Sequence, residues 1–381
     1  MVEPFQVTWT ERDFAPIRER IEAYRLPPTP PNTGWTYGCD PAFLESLRDH
    51  WANRFDVEAA VADLNRFPQV KLQVDGIDLH AVHVVGEAGG RRPLLLTHGW
   101  PGSVYEFWQV IEPLAFPSRH GGQASDAFDV VVPSLPGYGF SGKPKSPIGA
   151  RTTAGLFRKL MQGLGYDRFL AQGGDWGAGV STWLALDHAK ALQAIHLNYL
   201  LVQPSAEAER EDAKAWRASQ EAVRQKLSAY SMLQGTKPSS LAYAMADNPV
   251  AQAAWIVERF HDWSDLRGHA FPEPFGLNRL ITNVMIYVMN EAFPTSIWFY
   301  AAAAGEKVRN VPEGRRVEVS TAFTIYHDTL LPPPPRAWVE GSYNVSRWVQ
   351  QPHGGHFAAM EVPDLFVTDV RDWGRDAAPS S

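Results

Sequence analysis

The sequence predicts an α/β fold. A mostly parallel, doubly wound sheet carries a helical cap inserted late in the chain and a helical extension in front of it. Three observations predict this. Short apolar runs alternate with helical patterns from Pro93 to Leu197, the order of a sheet whose parallel strands are joined by helices. Strand signals vanish between about Val202 and Trp298 and return at Val317. Between the run Arg168-Phe169-Leu170-Ala171 and the helical stretch Ala178 to Leu186 stands Gly173-Gly174-Asp175-Trp176-Gly177. Small residues on either side of a nucleophile suit a sharp strand-to-helix turn that leaves no room for side chains.

Residues 1–68 read as a helical, polar extension. Thr10 followed by Asp13 resembles a capping box, and Phe14, Ile17, Ile21 and Tyr24 repeat at helical spacing behind it. The proline run from Pro27 to Pro31 cannot continue a helix. Pro41 to about Phe55 and Val57 to Leu64 predict two more helices.

Residues 69–202 carry the first part of the core. Val70-Leu72-Val74 and Leu79 to Val85 alternate, with Asp75-Gly76 as the hairpin turn between them. Pro93 to Thr97 and Asp129 to Pro133 are continuous apolar runs of the kind found in buried parallel strands. Residues 203–298 form the expected cap, with helices at Glu207 to Leu227, Leu241 to Met245, Gln252 to Phe260 and Leu277 to Met289. Residues 299–381 complete the core: strands at Val317 to Tyr326 and Ser346 to Gln350, with Ala337 to Val339 and Pro363 to Trp373 helical.

Composition excludes several classes. A chain of 381 residues, 45% hydrophobic, buries one large core with additions. A net charge of −7 gives no footprint for nucleic acid. Cys39 is the single cysteine, which excludes an intrachain disulfide and suits the cytoplasm. The N-terminus has no basic and apolar leader, and no long uncharged apolar stretch predicts a membrane span. No metal-ligand or dinucleotide spacing appears, so neither metal nor organic cofactor is expected.

Asp175 is a carboxylate where such turns usually carry serine. A carboxylate attacks carbon to give an alkyl ester, chemistry that suits epoxides and alkyl halides rather than esters or amides. The loop His98-Gly99-Trp100-Pro101-Gly102 ends an apolar strand, and in folds with this turn that loop and the residue after the nucleophile supply the oxyanion hole. The backbone N–H groups of Trp100 and Trp176 are therefore the expected donors, with His98 structural. His356, in Pro352-His353-Gly354-Gly355-His356-Phe357, falls after the last predicted strand. The order nucleophile, acid, histidine is that of the α/β-hydrolase fold. Asp328, after the strand ending in Tyr326-His327, is the best-placed acid to orient His356, and Glu340 is the alternative.

Together these motifs resemble the microsomal-type epoxide hydrolases, in a soluble bacterial form lacking the family's N-terminal membrane anchor. The matching pieces run the length of the chain: Pro4-Phe5, Trp35 to Gly38, Leu64 to Gln69, His98 to Ser103, Pro133 to Ser141, Gly173 to Gly177 and Gly354 to Glu361. The resemblance implies two cap tyrosines that donate to an epoxide oxygen. One is Tyr230, before Gln234, Thr236, Lys237 and Pro238; the other is Tyr300, after Ser296 and Phe299. The family usually places Glu at the orienting acid, whereas here Asp328 precedes Leu330-Leu331 and four prolines, so Asp328 and Glu340 both stay open.

The reading that follows is a cytoplasmic enzyme, cofactor-free, acting on a small-molecule epoxide, either alone or as a homodimer. The alternatives are a haloalkane dehalogenase, which uses the same Asp and His, and a non-catalytic ligand-binding member of the fold. The tyrosines favour the epoxide, because ring opening creates an alkoxide that a phenol can hold and protonate.

Overall fold

Nine strands, counted among the described residues, form one sheet in the computed structural model, which describes residues 1–89, 92–202, 211–308, 310–330 and 332–377. They are β1 (Val2–Phe5), β2 (Gln69–Val74), β3 (Ile77–Val84), β4 (Pro93–Thr97), β5 (Asp129–Pro133), β6 (Phe169–Gly173), β7 (Leu192–Leu197), β8 (Val317–Ile325) and β9 (Tyr343–Gln350). Their order across the sheet is β1-β2-β3-β5-β4-β6-β7-β8-β9. The pairs β1/β2, β2/β3 and β3/β5 are antiparallel and all later neighbours run parallel.

The three central strands β4, β5 and β6 are buried at every position, which is why each reads as a short, largely apolar run. Leaving β4, the chain fills β5 on one flank and then β6 on the other. That reversal opens a crevice at the strands' carboxyl ends. Thr97 pairs with Gly173 there, so the loop after β4 and the turn after β6 are neighbours by register. The hairpin turn between β2 and β3 has φ of 48° at Asp75 and 81° at Gly76, the double positive φ that matches the twist of a two-residue hairpin.

The extension differs from its predicted all-helical character at one place. Val2–Phe5 is an edge strand, antiparallel to β2 with Val2 opposite Leu72. Four residues are too few to show a period, and the strand exists only through its partner. The helices Glu11–Ala23, Pro41–Asn53 and Val57–Leu64 follow, the first with both halves of the Thr10/Asp13 capping box formed. Phe14, Ile17, Ile21, Leu47 and Trp51 are buried, each stabilising by about 1.5–3 kcal/mol. Much of that surface packs on helices Pro249–Trp263 and Leu277–Met289 rather than on the sheet. Trp35 stacks on His261 with ring centroids 3.9 Å apart. The extension thus braces the helical layer from outside.

Between β7 and β8 the described residues hold only helices. Glu211–Leu227, Pro238–Met245, Pro249–Trp263 and Leu277–Met289 correspond to predicted segments; Glu207 to Arg210, the expected start of the first, lie outside the described residues. Three helices had no counterpart in the sequence reading: Ala229–Thr236, Phe293–Ser296 and Trp298–Glu306. They are short, and Trp298–Glu306 is apolar on nearly every side, so no amphipathic period marks it. Ala229–Thr236 and Trp298–Glu306 pack against each other over the sheet's carboxyl edge. Among the described residues no helix is long and apolar enough to cross a membrane.

Candidate active site

Asp175 opens the helix Asp175–Asp187 directly after β6 with φ of 45°. A non-glycine residue in that left-handed region costs on the order of 1–3 kcal/mol and persists only where its surroundings enforce it. They do so here by contact. A Cβ on Gly173 would lie 2.2 Å from the Gly177 carbonyl oxygen, and one on Gly177 would lie 1.9 Å from that of Thr97. The small residues of the motif let the helix start pass that close to β4 and lift the carboxylate clear of the sheet.

The Asp175 carboxylate is held asymmetrically. Oδ1 accepts the Trp100 backbone N–H at 2.9 Å, while Oδ2 lies 3.4 Å from His356 Nε2. Trp176 occupies the first turn of the helix, where backbone N–H groups have no intrahelical acceptor. His356 Nδ1 lies 2.7 Å from Asp328 Oδ2, and the other oxygen of Asp328 accepts the Leu330 N–H at 2.8 Å. Asp328 follows β8 and His356 follows the adjacent β9, and the His327 N–H donates to the Gly354 carbonyl at 2.7 Å across the two loops. The parallel pairing of β8 with β9 therefore delivers Asp328 and His356 together.

Burial opposes a charge on His356, yet the carboxylates of Asp328 and Asp175 outweigh it and raise its pKa well above the usual imidazole value. His98 behaves differently. It is buried, its Nε2 accepts the Leu135 N–H at 3.2 Å, and burial lowers its pKa to about 4. It stays neutral and pins one loop to another.

Tyr230 and Tyr300 face Asp175 from the two short helices above, their rings 5.8 Å apart and edge to face. Trp100 stacks on Tyr230 at 5.4 Å, and Trp176 meets Tyr300 edge-on at 4.9 Å. The two hydroxyls hydrogen-bond to each other. Burial, then nearby charge including that of Asp175, raises both phenols above their ordinary range, so both keep their protons at neutral pH. Below them lies a cavity of about 480 Å³, lined by Asp175, Trp176, Tyr199, Leu201, Tyr230 and Tyr300 among others, with Arg217, Glu221 and Arg224 also on its wall.

Residues 2–107 match the family described as epoxide hydrolase N terminus, and residues 92–240 match the alpha/beta hydrolase fold. A Stigmatella aurantiaca protein that carries an epoxide hydrolase name is 37% identical over 378 residues, 97% of this chain and 84% of that protein. The chain belongs to the epoxide hydrolase family. Epoxide hydrolase 1 of Sus scrofa is 32% identical over 400 residues, covering 97% of this chain and 88% of that protein. The solved epoxide hydrolase of Aspergillus niger superposes with a TM-score of 0.86 at 27% identity, over 99% of this chain and 97% of that one. The α/β-hydrolase fold is thus shared along the whole chain.

In this family member the alternative acid, Glu340, is remote from His356. It lies on the helix Arg336–Ser342, where its carboxylate pairs with Arg336 Nε at 2.7 Å. Two further carboxylates border the site without having been singled out in the sequence. Glu361 accepts backbone N–H groups of Asp265, Gly355 and Phe357 at 2.8–2.9 Å, so it clamps the His356 loop to the segment after helix Pro249–Trp263. It belongs to the Gly354 to Glu361 motif, the signal that could have pointed to it. Glu106, three residues beyond the His98 to Ser103 motif, lies near both His356 and Asp175, and no local pattern announces it.

Proposed function

We propose that this epoxide hydrolase converts a small-molecule epoxide to a vicinal diol in two steps through an ester on Asp175. The observation that carries this reading is the asymmetric grip on Asp175. With Oδ1 held by the Trp100 N–H, Oδ2 is the oxygen free to attack an epoxide carbon from the back side. Tyr230 and Tyr300, both protonated, donate to the ring oxygen as it becomes an alkoxide, which takes its proton from the pair. Oδ1 is then the carbonyl oxygen of a hydroxyalkyl ester. His356, its Nδ1–H donated to Asp328, removes a proton from water through Nε2, and the water oxygen attacks the Asp175 carbonyl carbon. The oxyanion formed on Oδ1 is held by the N–H groups of Trp100 and Trp176. Collapse breaks the ester bond, and the departing oxygen takes the proton from His356 to give the diol. The second water proton passes from the new Asp175 carboxyl to His356, restoring the resting pair.

The change of charge at Asp175 links the two steps. As an anion it helps to keep His356 protonated; as a neutral ester it no longer does. His356 then gives up its proton, which replaces the one the tyrosine pair lost, and becomes a base when a base is needed. Two protonated phenols supply the acid that an alkoxide needs and a halide does not, which favours an epoxide over an alkyl halide. The single cysteine supports a cytoplasmic location.

A single turnover in heavy-oxygen water tests the mechanism. The label is expected in the Asp175 carboxylate, with the first diol unlabelled. Label in the first diol would mean direct attack by water and would overturn it.

A further inference from the structure

A second, much smaller chamber lies against Asp175. Its volume is about 20 Å³, room for about one water, which needs roughly 10–15 Å³. Asp175 lines both this chamber and the large cavity. The polar groups around it are Thr97, Glu106, Gln172, Asn198 and His356. Among the described residues, Thr97 Oγ1 and Gln172 Oε1 are buried with no hydrogen-bond partner. His356 Nε2 has only its loose 3.4 Å approach to Asp175. An apolar pocket of this size would stay dry, whereas one edged by unpartnered polar atoms suits a hydrogen-bonding guest.

Glu106 lies in the short 3₁₀ turn Val104–Phe107, in the loop after β4. Its carboxyl fills the space over Gly102: a Cβ built on Gly102 would lie next to Glu106 Oε1, far inside contact distance. The second glycine of His98-Gly99-Trp100-Pro101-Gly102 is therefore required by a carboxyl placed beside the chamber.

We propose that this chamber seats the hydrolytic water, and that Glu106 accepts a hydrogen bond from the water's second O–H, aiming its lone pair at the Asp175 carbonyl carbon. This role rests on the ester mechanism above and adds a positioning residue to it. One water proton passes to His356 Nε2 as the water oxygen bonds to carbon. Glu106 receives no proton and forms no covalent bond. An acceptor on the second O–H fixes the rotation that His356 alone leaves free.

The charges favour Glu106 over Gln172 and Thr97 as that acceptor. Burial pushes the Glu106 pKa up to about 8, with the His356 charge pulling down, Asp175 pushing up and the Gly99 N–H pulling down. Ester formation removes the Asp175 charge, and as the water attacks, the proton taken up by His356 restores the positive charge beside Glu106. Both changes favour a carboxylate on Glu106 during the hydrolytic step, when a strong acceptor is useful.

The test follows the two half-reactions by rapid quench and mass spectrometry of the Asp175 ester in unaltered, Glu106→Leu, Glu106→Gln and Gly102→Ala proteins. Ester formation should be unchanged in all of them. Ester hydrolysis should fall about 100-fold in Glu106→Leu and less than about tenfold in Glu106→Gln, which keeps an acceptor oxygen. Gly102→Ala, which displaces the carboxyl without removing it, should also slow hydrolysis selectively. Hydrolysis at the unaltered rate in Glu106→Leu, equal slowing of both steps, or a Gln variant as slow as Leu each overturn the role of Glu106. An unaltered enzyme that never accumulates or labels an Asp175 ester overturns the underlying mechanism, which a defect confined to the variants does not.

Discussion

On the sheet side of the cavity, Asp175, Asp328 and His356 stand at the ends of β6, β8 and β9, while on the cap side Tyr230 and Tyr300 stand on two short helices. The sheet-side groups are placed by backbone. Register sets Thr97 beside Gly173, bare glycines let backbone carbonyls come within 1.9–2.2 Å of where a Cβ would stand, and loop N–H groups hold the carboxylates. The cap-side groups are placed by side chains: Trp100, Trp176 and Trp263 around the two phenol rings. Backbone placement tolerates almost no change. Aromatic packing is less directional and accepts repacking at modest cost. The difference teaches that, in the proposed mechanism, the covalent chemistry is built on the rigid partner, and the recognition of the leaving oxygen on the adjustable one.

If that contrast holds, sheet-side changes should be severe and specific to one step. His356→Gln should reduce turnover on the order of 10⁵-fold or more while still opening one equivalent of epoxide. Consumption of one equivalent of epoxide with a trapped Asp175 adduct is the readout, and loss of that single turnover would place His356 in the first step.

Asp328→Asn should slow ester hydrolysis on the order of 10³–10⁴-fold, because the carboxylate fixes the imidazole tautomer and stabilises its charged form. It also has a signed pH effect. Asp328 raises the His356 pKa, and hydrolysis speeds up as His356 loses its proton with rising pH. Removing the Asp328 charge should therefore move that limb of the profile to lower pH. Glu340→Gln should leave rate and limb unchanged, because its carboxylate is spent on Arg336. A silent Asp328→Asn beside a crippled Glu340→Gln would reverse the assignment.

The cap side should yield least. Tyr230→Phe and Tyr300→Phe are each expected to slow ester formation about 10–100-fold, less than one fully lost oxyanion-hole donor costs elsewhere, because the partner phenol remains. The double change should nearly stop alkylation. Unchanged alkylation in both single variants would reduce the pair to packing residues and collapse the contrast between the two sides.

How legible each part was in the sequence follows the same division. The turn at Gly173 to Gly177, the loop at His98 to Gly102 and the strand before His356 are local patterns, because a sharp turn constrains residues that are adjacent in the chain. Tyr230 and Tyr300 came only through resemblance. Their helices, Ala229–Thr236 and Trp298–Glu306, carry no periodic signal and are held by one another. Strand β1 escaped for a related reason: its reason to exist is β2, more than sixty residues away.

The chain alone determined which reactive group stands in the turn, a carboxylate, and the α/β order of the core, since buried parallel strands demand largely apolar runs. Which carboxylate lies beside His356 was decided by the folded arrangement, because Asp328 and Glu340 are both downstream of β8 and differ only in where the β8–β9 pairing leaves them. The neighbourhood of Glu106 was settled there as well. A glycine and a glutamate four residues apart look unrelated in the chain, and become one feature only when a 3₁₀ turn folds the carboxyl over the space where a Cβ would have been.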